Sequence, residues 1–103
     1  MIVPVVYLDF VEQCKRSFPT SLLGTDFAFT SIGLKEYLLE MLSENNMENF
    51  LEEDDFVFFN HQGYVFGFFR ADGNSDPDVY TFSEVDLQKK NMGPLSRYLR
   101  EEM

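Results

Sequence analysis

Val3, Val6, Tyr7, Phe10, Val11, Cys14 and Phe18 recur at three- and four-residue intervals, while Asp9, Glu12, Gln13, Lys15 and Arg16 fill the opposite side. That spacing predicts an amphipathic helix from about Pro4 to Ser17. Pro4 suits a first turn, because proline has no N–H to lose there, and Pro19 stops the run. Between Thr20 and Ser31 the pattern weakens. Thr25 to Thr30 reads as a short strand with Phe27 and Phe29 on one face, punctuated by Gly24 and Gly33. Leu34, Tyr37, Leu38, Met41 and Leu42 then mark a second helix, Leu34 to Glu44, starting near Ser31 or Gly33 and ending at Asn45-Asn46. On its outer side Glu36, Glu40 and Glu44 continue at the same interval to Glu48 and Glu52. Like charges so spaced repel along a helix; Asn45-Asn46 is expected to break the run, leaving Met47 to Leu51 as a short second turn, and an ordinary solvated face is the expected role of these glutamates.

The pattern switches to period two after Glu53. Asp54 to Phe59 and Gly63 to Arg70 predict a strand pair joined by Asn60-His61-Gln62-Gly63, with Gly63 available for a positive φ. In the second strand Tyr64, Phe66 and Phe68 alternate with Val65, Gly67 and Phe69, so both faces are apolar, which implies a central strand covered on each side, or one covered on one side and lined by aromatics on the other. Gly67 amid such bulk implies a close approach to the backbone. A third strand, Val79 to Phe82, follows the loop Asp72 to Asp78. Irregular turns lead to Gly93-Pro94, and Leu95, Tyr98 and Leu99 predict a short C-terminal helix. The expected class is α+β: an antiparallel sheet of three to five strands packed with N-terminal, central and short C-terminal helices.

Composition narrows this to one domain, 1–103, with its own core, since a chain of 103 residues with twelve Phe can bury enough apolar surface without staples. A single cysteine, Cys14, excludes an internal disulfide. It sits on the apolar face of the first helix and reads as a packed thiol. The apolar start MIVPVVYLDF meets Asp9 and Glu12 without a basic region or a twenty-residue apolar run, so a cytoplasmic protein with no membrane contact is expected. Eighteen acids against eight bases give a net charge of −10, which disfavours nucleic acid; solubility is the expected role of most of these residues, and attraction to a basic protein partner is the sharper reading.

Candidate chemistry is sparse. Asp72, Asn74, Asp76 and Asp78 alternate like the opening of a calcium loop, but Pro77 replaces the turning glycine and Ser83 the closing glutamate. Asp and Asn in this pattern are also ordinary turn formers. His61, the only histidine, reads as a loop tip, too far in sequence from Cys14 for metal-ligand spacing and a poor base for a packed thiol. Glu52 to Asp55 reads as a charged approach guarding a buried strand. No phosphate loop, nucleophile elbow or dinucleotide fingerprint occurs. No catalytic residue, metal or cofactor is expected.

Five features from Leu34 onward carry a family resemblance: Phe56 to Phe59, Gly63-Tyr64-Val65-Phe66, the acidic loop Asp72 to Asp76, Asp76-Pro77-Asp78-Val79-Tyr80-Thr81-Phe82, and Leu95 to Leu99. In this order they resemble the SUKH superfamily, the Smi/Knr-like proteins, across the C-terminal two-thirds of the chain, although the chain has no tryptophan. The resemblance implies a non-enzymatic binding domain, in bacteria often an immunity protein that neutralises a toxin such as a nuclease. A regulatory or scaffolding domain with an endogenous partner is the alternative. Tyr64, Asp72, Asp76, Asp78 and Tyr80 are the expected contact residues, since tyrosine gives large contact area and the acids can pair with Lys or Arg. For Tyr64 and Tyr80, core packing is the competing expectation.

Overall fold

The computed structural model of the chain describes residues 2–17, 24–28 and 33–102. Its elements run α1 (Val5–Arg16), β1 (Thr25–Phe27), α2 (Leu34–Glu44), β2 (Asp55–His61), β3 (Val65–Arg70), β4 (Asp78–Ser83), β5 (Gln88–Pro94) and α3 (Leu95–Glu101). The α+β class and the three expected helices, all among the described residues, follow the sequence pattern. Phe18, Pro19, Ser31 and the Phe29-Thr30 end of the first expected strand lie outside the described residues.

Among the described residues five strands form one antiparallel sheet in chain order, β1 to β5. α1 and α3 cover one face and α2 covers the other, which is why β3 is apolar on both sides. On the first face Tyr7 of α1 packs against Phe58 and Phe69, and Tyr98 of α3 stacks on Phe59. On the second, Leu34, Leu38, Met41 and Leu42 meet Val57, Phe66, Phe68 and Phe82. Phe27, Phe58, Phe66, Phe69 and Phe82 are fully enclosed. At roughly 1.5–3 kcal/mol per fully buried large side chain, these rings dominate the stability of the sheet.

Three local expectations need correcting. Met47 to Leu51 forms no helical turn: after Asn46, at φ 56°, the chain runs irregularly across the sheet as a strap, with Leu51 buried and Phe50 stacked on Phe68. The β2–β3 turn is tighter than expected, because β2 continues through Asn60 and His61. Asn60 is buried, and its Oδ1 accepts from Gly63 N, while Gln62 and Gly63 take positive φ values of 52° and 86°. The stretch before Gly93-Pro94 is a full strand, β5, rather than turns. Gln88 to Asn91 are all exposed, so this outer strand carries no apolar alternation by which the sequence could announce it.

Gly67 faces Phe59 across the β2–β3 ladder, and the ring of Phe59 fills the space a Cβ would need. The close approach expected at this glycine therefore comes from the neighbouring strand. A register shift between Val57 and Phe59 lets both Phe58 and Phe59 join the α1–α3 core.

Candidate functional site

The loop from Asp72 to Asp78 is built from its own side chains. Asp72 Oδ1 accepts from Asn74 N (3.2 Å) and Asn74 Oδ1 accepts from Asp76 N (2.9 Å), the turn-forming use of these residues. Asp76 then reaches twenty residues along the chain to the start of α3. Its Oδ1 accepts from Ser96 N (2.8 Å) and its Oδ2 from Ser96 Oγ (2.7 Å). Pro77 O accepts from Leu95 N (2.8 Å), so loop and helix are locked together. Among the described residues no three His, Cys, Asp or Glu side chains converge as a metal site.

The five expected contact residues do not form one patch. Asp72, Asp78 and Tyr80 come together beside a cleft of about 340 Å³, whose walls also include Phe50, Phe68, Arg70, Pro77 and Lys89. Asp76 serves α3 instead. Tyr64 lies at the other end of β3, in the β2–β3 turn, 36 % exposed and edge-on to His61. Tyr80 is half-buried, stacked on Phe68 at 5.8 Å, so core packing and cleft lining coincide in it.

The cleft adds residues that the sequence pattern did not single out. Asp55 is 4 % exposed, with one oxygen 3.5 Å from Arg70 Nε and the other accepting from Glu52 N (2.8 Å). The sequence groups it with the charged approach to the strand, yet it is the residue of that run that turns inward. Its partner is set by the register Asp55↔Arg70. Lys89 of β5 lies across from Phe82 and places its ammonium 5.4 Å from the Phe50 ring centre and 5.1 Å from that of Tyr80. A cation over aromatic faces at these distances is attracted by the ring quadrupole.

Charge is divided unequally between the two helical layers. α1 and α3 together hold Asp9, Glu12 and Glu101 against Lys15, Arg16, Arg97 and Arg100, a formal charge of +1. From Leu34 to Asp54, α2 and the strap hold Glu36, Glu40, Glu44, Glu48, Glu52, Glu53 and Asp54 against Lys35 alone, a formal charge of −6. All six glutamates are exposed. Lys35 Nζ donates to the carbonyls of Glu52 (2.8 Å) and Glu53 (3.1 Å), pinning the strap to the start of α2. Tyr37, 48 % exposed, stands among these acids with its ring edge-on to Phe66.

The groups with shifted acidity lie elsewhere. Burial pushes the Tyr98 hydroxyl up to about 12, with Glu102 adding to the effect. It pushes Tyr7 higher still, and the Cys14 thiol up as well. Cys14 is buried in the α1–α3 core, so its packed reading holds. His61 is half-buried at the end of β2 rather than at a loop tip, with Nδ1 2.8 Å from Thr25 Oγ1. No described helix is long and apolar enough to cross a membrane.

No family model, no curated protein and no solved structure matches the chain.

Proposed function

We propose that this chain is a non-enzymatic binding domain whose acidic α2 layer and adjoining cleft dock on a basic protein, and that this partner is a toxin which the domain neutralises. The observation that carries the reading is the segregation of charge: −6 on the α2 layer against +1 on the opposite helices. A uniformly acidic surface would attract a basic partner without orienting it. A one-sided field also orients an approaching basic partner and raises the encounter rate. The toxin identity rests on the Smi/Knr-like resemblance, and a nuclease suits it, because a groove built for phosphates is lined with Lys and Arg.

The test is co-expression with a toxin-like reading frame, should one lie beside this protein's gene. Protection is expected from the natural chain, and reduced protection when Glu40 and Glu44 are both changed to Lys. Cells dying as readily with the protein as without it would remove the toxin reading. Saturable, salt-sensitive binding of an endogenous basic protein in that case would point to a regulatory domain instead.

A further inference from the structure

We infer that the cleft beside β4 is a seat for an arginine side chain of the partner, and that Lys89 occupies that seat in the free protein. This deepens the reading of the domain as a binder of basic proteins and rests on it. Three observations converge on a cation.

The first is the surface that a side chain entering the cleft would meet. Phe50, Phe68 and Tyr80 form a continuous aromatic wall, with Phe50 stacked on Phe68 and Phe68 stacked on Tyr80, each at 5.8 Å between ring centres. The second is the state of the charges around it. Asp55 and Arg70 pair with each other, and Asp55 is further used by Glu52 N. Asp72 and Asp78 are exposed. Each spends one oxygen on a local donor, Asn74 N and Asn91 Nδ2 respectively. The other oxygen of each has no partner among the described residues. The third is Lys89 itself. In a chain with more than twice as many acids as bases, its ammonium makes no ion pair or hydrogen bond among the described residues and rests over Phe50 and Tyr80. Its neighbour Lys90, by contrast, pairs with Asp86 at 3.0 Å.

An intramolecular cation already sits on the aromatic wall, and two open carboxylates flank it. An incoming anion would meet those carboxylates, so the cleft selects a cation. Arginine fits better than lysine, because a planar guanidinium can lie flat on a ring while its N–H edge reaches carboxylates. Lys89 is exposed on an outer strand and is free to swing aside.

The experiment is an NMR titration of the whole protein with the peptide Ac-Gly-Arg-Gly-NH2 and its uncharged citrulline counterpart. The arginine peptide is expected to shift Phe68, Tyr80 and Lys89 signals saturably, and the citrulline peptide to leave them in place. Lys89→Met removes the competitor without touching the core, and binding should tighten about two- to fivefold. Asp72→Asn with Asp78→Asn should weaken it severalfold. Unchanged or weaker binding of the arginine peptide by Lys89→Met would show that Lys89 does not hold the seat and would overturn the inference. Shifts confined to Glu36 through Glu53 would overturn it too, while leaving the acidic layer as the partner-facing surface. Loss of toxin protection with the arginine peptide still seated in the cleft would remove the toxin reading alone.

Discussion

A side chain at position 67 would have to share the volume that the Phe59 ring already fills, and Tyr98 stacks on that ring in turn. The ring has little room to retreat. Gly67→Ala is therefore an overpacking change, expected to cost about 1–3 kcal/mol. The urea midpoint of unfolding measures it, and Phe59→Leu in the same background should restore part of the loss. An unchanged midpoint would mean that Phe59 does not fill that space. The requirement for glycine was legible from its bulky neighbours. Its cause was not, because in Phe56-Val57-Phe58-Phe59 every residue is apolar and nothing in the pattern shows which two consecutive rings share a face. The bulge decides that, and with it the register that sets Asp55 against Arg70. Asp55 stayed hidden among four acids for the same reason.

At the scale of elements, the segments with strong periodicity were legible and those held by distant partners were not. α1, α2 and the β2–β3 pair follow their patterns within a residue or two. β5 has no apolar rhythm and is a strand only because β4 offers it an edge. α3 is seven residues long, too short to persist by itself. Its N-cap Pro94 supplies no side-chain bond, and the loop residue Asp76 does so from twenty residues away. A carboxylate at a helix N-terminus also complements the dipole. Asp76→Ala is accordingly expected to lower stability by about 1 kcal/mol. Ser96→Ala should cost less, since its N–H can still be capped. Chemical denaturation of the two variants gives the order. If Asp76→Ala unfolds like the natural protein yet loses its partner, Asp76 belongs to the interface and not to α3. Two of the other expected contacts, Asp72 and Asp78, were legible as an acidic loop, but the aromatic wall behind them comes from three separate segments that only folding unites.

For the whole molecule, the acidic layer works against its own stability. Glu36, Glu40 and Glu44 follow each other at four-residue spacing, each like-charge pair costing about 0.2–0.5 kcal/mol. Glu44 also ends a helix whose last turn contains no base, where the dipole favours a cation. Glu44→Lys reverses both effects and sets an ammonium four residues after Glu40, the favourable order for a helical ion pair. It should therefore stabilise the fold by about 0.5–1 kcal/mol at low salt. If the layer faces a basic partner, the same substitution should slow association. The slowing should shrink as salt brings the Debye length to about 8 Å and below. Thermal midpoints and stopped-flow association rates across a salt series read the two effects on one protein. A variant that is more stable and associates as fast as the natural chain would show that the glutamates of α2 serve solubility and that the partner binds elsewhere. A variant that gains stability and loses rate would show that this helix keeps its unfavourable charge for the sake of encounter.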